Sequence, residues 1–175
     1  IQRKVIAEAN AWFNPALRGL GKGERSICNW DEDSITMAVE AARDALGGTG
    51  AKGIDAVFFA STNLPFQDRQ NAGIIAEALD LGSNLLTMDV TGSQRASTTA
   101  LTAALKAASS GDRIIITSGE KRQTKAASPI ELTTGDAAAA LIVAEGDGVA
   151  KLLGRATHAV DFVDHYRGQD EPFNY

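Results

Sequence analysis

Residues 88–101, MDVTGSQRASTTAL, decide the fold. An apolar run ends at Val90, Gly92 permits a sharp turn, and a helix rich in small residues follows from Gln94. A strand-to-helix turn of this kind pushes one side chain out at a helix N-terminus. Unpaired N–H groups and the helix dipole favour negative charge there. A cysteine in that place has a lowered pKa and attacks as a thiolate. Taken alone, the stretch also fits an ordinary strand-to-helix turn. The small side chains that follow let the helix pack deep in the centre of a fold.

Outward from this turn, the hydrophobic period alternates between strand and helix. Residues 84–90 read as the strand that enters the turn, and residues 94–109 as the helix that leaves it, ended by Gly111. Residues 54–61, IDAVFFAS, form a continuous apolar run, the mark of a strand buried on both faces. Residues 71–81 carry Ile74, Ile75, Ala78 and Leu79 at helical spacing. Earlier, DSITMAVEAARDALGG offers Asp33 or Ser34 as an N-cap, a stripe of Ile35, Ala38, Val39, Ala42 and Leu46, and Gly47 and Gly48 as terminators. Residues 2–12 predict a short helix with Val5, Ile6 and Ala9 on one side, and residues 14–32 an irregular segment. Residues 113–118 and 137–144 read as a third and a fourth strand. Residues 149–162 read as a fifth, broken near Gly154 and joined to the fourth by an antiparallel hairpin at Gly146-Asp147-Gly148. The order predicts an α/β layered fold with a mixed, mostly parallel sheet and no internal domain boundary. The first helix lacks the strand that this scheme wants before it.

Composition agrees with one domain, or one half of a larger two-part domain. The 175 residues are 44% hydrophobic and 22% charged, an ordinary balance with enough apolar material for a core. A net charge of −5 leaves a nucleic-acid role without an electrostatic footprint. No apolar run approaches the roughly 18 residues of a membrane span. The single cysteine, Cys28, excludes an internal disulfide and a multi-cysteine metal site. No metal ligand set stands out, and a cytoplasmic location is the default expectation.

Four collinear blocks resemble one family. Gly23-Glu24-Arg25-Ser26 with residues 31–38 is similar to the early part of 3-hydroxy-3-methylglutaryl-CoA synthase and its bacterial relatives. Residues 89–101 resemble that family's D-x-T-x-x-C-x-x-G-T-x-A-L nucleophile turn. Residues 135–141, GDAAAAL, resemble its small-residue strand entry, and His158-Ala159-Val160-Asp161-Phe162 its H-x-x-D-F segment. The resemblance implies a thiolase-superfamily condensing enzyme with a layered α/β/α/β/α fold made of two similar halves. This chain corresponds to the first half, residues 1–175, without its first strand. It also implies a dimer and a coenzyme A thioester as substrate or ligand, with no tightly bound cofactor. In that family a cysteine takes the acyl group, a glutamate is general acid/base, and a histidine from the second half polarises the thioester carbonyl.

At both catalytic positions within its reach the chain departs from the family pattern. Gln94 stands at the cysteine position, and an amide has no usable nucleophile. Thr62, in Ala60-Ser61-Thr62-Asn63, stands at the glutamate position, and a hydroxyl does not shuttle protons near neutral pH as a tuned carboxylate does. The histidine position falls beyond Tyr175.

No other residue restores the chemistry on sequence grounds. Cys28 reads as a half-buried small hydrophobe. Ser93 has no identifiable acid–base partner, and Ser97 reads as a packing residue or a donor to a backbone carbonyl. The run Lys121-Arg122-Gln123-Thr124-Lys125 reads as a solvated loop, and Glu131 as a carboxylate that faces either the cavity or solvent. His165 lies in a polar, aromatic-rich segment that suits a surface loop or a partner contact. Gly19-Leu20-Gly21-Lys22-Gly23 is only superficially a phosphate loop. By resemblance it borders the coenzyme A entrance, which makes Lys22 and Arg25 candidates for its phosphates.

Three functional expectations follow. The first is an acyl-CoA-binding homologue of hydroxymethylglutaryl-CoA synthase with altered or lost acyl transfer. The second is a non-catalytic scaffold that pairs with a thiolase-like subunit, as a homodimer or heterodimer, or with a zinc-ribbon/OB-fold acyl-CoA-binding domain. The third is a decarboxylase of malonyl-type thioesters that uses Gln94 beside an enolate-stabilising site.

Overall fold

Four strands pair in the order β2-β1-β3-β4. They are β1 (Ala56–Ala60), β2 (Leu86–Val90), β3 (Ile114–Glu120) and β4 (Ala137–Val143). The computed structural model describes residues 1–47, 50–162, 166–168 and 170–173. β1 runs parallel to both β2 and β3, while β4 is antiparallel to β3. The central position of β1 explains its composition: all five residues of AVFFA are buried.

Alternation along β1 divides the core into two layers. Val57 and Phe59 face α2 (Ser34–Gly47) and α3 (Asn71–Ala78), where they pack with Ile35, Ala38, Val39, Ile75 and Ile115. Ala56, Phe58 and Ala60 face α4 (Ala96–Ala108) on the other side. The face that α4 presents to the sheet is Ala96, Ala100, Ala104 and Ala108, all buried. Four alanines at i, i+4 spacing let this helix approach closely, and they explain why a sequence poor in large residues still closes a layer.

The helix starts are capped in two different ways. Asp33 caps α2 locally: Oδ1 accepts from the N–H groups of Ile35 at 2.9 Å and Thr36 at 2.8 Å. Of the two expected caps, Asp33 is therefore the one used, and Ser34 is buried instead, its Oγ donating to the Asn63 carbonyl at 2.9 Å. The cap of α3 comes from a strand. Asp89 on β2 accepts from Asn71 N at 2.8 Å, Asn71 Nδ2 at 2.9 Å and Ala72 N at 2.7 Å. One carboxylate thus fixes the height of α3 against the sheet.

Elsewhere the structure corrects the sequence reading. The first helix, α1 (Arg3–Asn10), buries Ala7 and half-buries Ile6, while Val5 is 57% exposed and Ala9 is also exposed. Its inner stripe is set by Leu17, Ala127 and Leu132, which pack on Ala7, not by hydrophobicity alone. The irregular segment contains a 3₁₀ helix, Pro15–Leu20, with proline at its start. A short helix, α5 (Pro129–Thr133), follows β3, with Ser128 as its cap. Gly48 lies outside the described residues.

No fifth strand forms among the described residues. Residues 149–162 are exposed throughout and pair with nothing, so the expected hairpin at Gly146-Asp147-Gly148 is absent. The physical reason is where the chain goes. It does not lie beside β4 but reaches the C-terminal end of β1, where Arg167 Nη2 donates to the Thr62 carbonyl at 2.8 Å.

One glycine governs how α2 sits on the sheet. A Cβ at Gly119 would lie 2.2 Å from the Ser34 carbonyl oxygen, a backbone atom that cannot swing aside. Gly119→Ala is therefore expected to cost about 3 kcal/mol, the upper range for overpacking. Urea unfolding of the purified variant measures this, and an unchanged midpoint would mean that α2 is free to move.

Candidate functional site

The C-terminal ends of the three parallel strands converge at the N-terminus of α4. This is where open α/β sheets offer a crevice. β2 ends at Val90, and residues 91–95 make the turn, with Gly92 at φ 81°. That backbone conformation favours glycine, as the sequence predicts. Ser93 Oγ accepts from Arg95 N at 3.1 Å, and the Ser93 carbonyl accepts from Ala96 N at 2.9 Å. The helix starts at Ala96, two residues later than the sequence suggests. Gln94 therefore sits on the turn, exposed, ahead of the first helical residue.

A cavity of about 320 Å³ opens beside this turn. Thr62, Thr91, Gly92, Ser93, Gln94, Arg122, Tyr166 and Arg167 line it. The two substituted positions singled out from the sequence, Gln94 and Thr62, thus border one cavity although 32 positions separate them in the chain. A second groove of about 420 Å³ lies along the β2 edge, between Gln67, Asp68, Arg69 and Gln70 on one side and Thr87, Met88 and Asp89 on the other.

Behind Thr62 stands a carboxylate that the sequence reading misses. Ala60 pairs with Ser118, and two residues further the same parallel register sets Thr62 beside Glu120. Glu120 Oε1 accepts from Thr62 N at 2.6 Å, and Oε2 accepts from Thr62 Oγ1 at 2.8 Å. On the other side of the hydroxyl, Arg122 Nη2 donates to Thr62 Oγ1 at 3.4 Å. Asn63 Nδ2 donates to the Lys121 carbonyl at 2.7 Å, which ties the same two strand ends together. The sequence reading ends this strand at Ser118, which leaves Glu120 outside it, whereas β3 continues to Glu120.

Other candidates have structural roles or lie apart. Lys121 is half-buried and donates to the carbonyls of Glu32 and Asn29, and Arg122 lines the cavity, so the basic run is not simply a solvated loop. Arg25 Nη1 donates to the Glu131 carbonyl at 2.6 Å, and its Nε is buried with no partner among the described residues. Lys22 is exposed. Neither Lys22 nor Arg25 lines the cavity. Glu131 folds back on its own helix start, with Oε2 accepting from Ala127 N at 2.7 Å. Ser97 Oγ and Ser118 Oγ share a hydrogen bond of 2.7 Å between α4 and β3. His158 is exposed in the extended tail, and His165 lies outside the described residues.

Cys28 belongs to a separate cluster. Its N–H donates to Asp136 Oδ2 at 3.1 Å. Burial, then a hydrogen bond and the negative charge of Asp136, push the thiol above its ordinary 9.0, against a smaller opposing effect of Lys121. It is a protonated thiol away from the cavity, not a displaced nucleophile. Among the described residues, no group of three His, Cys, Asp or Glu side chains is placed to hold a metal. No described helix is long and apolar enough to cross a membrane.

A three-layer α/β unit with its crevice at a small-residue strand-to-helix turn is the fold of the thiolase-like condensing enzymes. MvaS in complex with 3-hydroxy-3-methylglutaryl coenzyme A superposes with a TM-score of 0.86 at 21% identity, over 100% of this chain and 44% of that one. The chain is a homologue of the hydroxymethylglutaryl-CoA synthases. It is 28% identical over 178 residues to the hydroxymethylglutaryl-CoA synthase of Aeropyrum pernix, covering 99% of this chain and 49% of that protein. With the hydroxymethylglutaryl-CoA synthase of Pyrococcus furiosus it shares 31% identity over 156 residues, 86% of this chain and 45% of the relative. The chain thus spans about half the length of the curated relatives it matches. No protein-family model matches it.

The raised thiol has a measurable consequence. Iodoacetamide should alkylate Cys28 in the folded protein more slowly than in the unfolded chain at pH 8 to 9, with the rate rising only above the ordinary thiol range. The sign for stability follows by linkage. The unfolded chain loses this proton at lower pH than the folded one. The contribution is complete below the unfolded thiol's pKa and is lost as pH rises through the folded value. Equal alkylation rates in the two states would contradict this.

Proposed function

We propose that residues 1–175 form the N-terminal half of a thiolase-like domain, without an internal boundary, that binds an acyl-CoA and no longer forms an acyl-enzyme. The observation that carries this reading is the lining of the 320 Å³ cavity, which contains an amide, hydroxyls, a phenol and two guanidinium groups but no thiol. A covalent acyl-enzyme needs a nucleophile that a nearby base or a lowered pKa activates. Gln94 offers none, and Cys28 is elsewhere with its pKa raised.

What remains suits non-covalent binding of a thioester. Gln94 and Thr62 both bring polar groups to the cavity lining, and Arg122 and Arg167 bring positive charge to the same lining. The similarity to hydroxymethylglutaryl-CoA synthases and to MvaS with its bound coenzyme A thioester supports this ligand class. Lys22, exposed near the end of the 3₁₀ helix, is proposed as a phosphate contact at the rim. Arg25 is the weaker candidate of that pair, because its Nη1 already serves the Glu131 carbonyl.

Titration calorimetry with acetyl-CoA should show binding. Intact-protein mass spectrometry after the same incubation should show no acetyl adduct. An acetyl shift on the protein overturns the loss of acyl transfer, and no heat of binding overturns the ligand.

A further inference from the structure

We propose that Thr62 and Glu120 form a proton relay, in which the hydroxyl meets the ligand and the carboxylate behind it holds the proton. The inference rests on the reading that the cavity takes a coenzyme A thioester. It concerns an activity beyond binding, namely proton transfer at the carbon next to the thioester carbonyl.

The geometry is specific. Thr62 lines the cavity, whereas Glu120 is not among its lining residues and hydrogen-bonds to Thr62. Both carboxylate oxygens are held by one residue, through the Thr62 N–H and the Thr62 hydroxyl. The hydroxyl proton is therefore committed to Glu120 Oε2, and the lone pairs of Oγ1 are directed away from it. One lone pair receives Arg122 at 3.4 Å, and the second is available to a ligand in the cavity. A hydroxyl by itself is a poor base near neutral pH, but a hydroxyl that passes its proton to a carboxylate as it gains one is not.

The step balances without a co-reactant. The C–H bond next to the thioester carbonyl breaks, and its proton moves to Thr62 Oγ1. The original hydroxyl proton moves to Glu120 Oε2. The C–H electron pair passes into the carbonyl, giving an enolate whose charge lies near the Arg122 and Arg167 guanidinium groups. Reversal returns a proton to carbon. Thr62 is the residue that touches the reacting atoms, and Glu120 is a positioning residue that acts through it.

The test is deuterium wash-in at the acetyl group of acetyl-CoA in D2O, followed by mass spectrometry, with binding measured in parallel on the full chain. The protein should exchange these hydrogens faster than buffer alone. Glu120→Gln keeps the shape and an acceptor but cannot take the proton in the same way, and it should lower exchange about 100-fold with binding retained. Thr62→Val should lower exchange about as much when it and the unsubstituted protein are compared at saturating acetyl-CoA, since the Thr62 hydroxyl also meets the ligand. Thr62→Ser, which restores a hydroxyl, should exchange at least about tenfold faster than Thr62→Val, and Glu120→Asp faster than Glu120→Gln. Binding of acetyl-CoA without exchange overturns the relay and leaves the binding reading standing. Exchange by Glu120→Gln or Thr62→Val at the unsubstituted rate also overturns it. A protein that does not bind acetyl-CoA refutes both readings.

Discussion

The contact between Gly119 and the start of α2 is the constraint on which the rest depends. A backbone carbonyl, that of Ser34, occupies the space where any larger residue on β3 would place its Cβ. With α2 seated there, Ser34 Oγ can reach the Asn63 carbonyl just past β1. Asn63 in turn ties β1 to β3 through the Lys121 carbonyl. These links fix the two strand ends at one height, and only at that height does Thr62 meet Glu120 with both its N–H and its hydroxyl. The candidate site is thus a consequence of packing at a glycine that does not touch it.

Asp89 does the corresponding work on β2. It belongs to the stretch that identifies the turn, yet its carboxylate points away from the turn and caps α3 with three hydrogen bonds. Charge-assisted bonds to a helix N-terminus are among the stronger local interactions. Alternation on the strand then sends Met88 and Val90 to the α4 side, so the chain enters the Thr91-Gly92 turn from that face. One residue thereby links the two helical layers to the position of Gln94.

Most of the architecture was legible because its periods are strong. The buried run of β1, the stripe of α2 and the alanine-rich α4 each follow from spacing alone, and the mixed sheet follows from their order. The boundary of β3 was not legible. Gly119 lies just past the end at Ser118 that the sequence suggests, and its role is close approach to α2. Ending the strand at Ser118 concealed Glu120, so Thr62 was read as the loss of a carboxylate from the site. In the structure a carboxylate is present, one strand over and bonded to that threonine. The tail misled in the opposite direction. Residues 149–162 read as a strand broken near Gly154, but they are exposed and unpaired, and Tyr166 and Arg167 further along line the cavity. Long-range register and the path of an unpaired tail are tertiary facts that local pattern does not encode.

The central claim is that the thioester end of an acyl-CoA occupies the cavity between Thr62 and Gln94. Amide-resolved NMR of the full chain, titrated first with coenzyme A and then with acetyl-CoA, tests it most directly. The account predicts that the Gln94 side-chain amide and the Thr62 backbone N–H shift further with acetyl-CoA than with coenzyme A alone. Shifts confined to Gln67, Arg69 and Thr87 would place the ligand in the β2-edge groove and contradict the account.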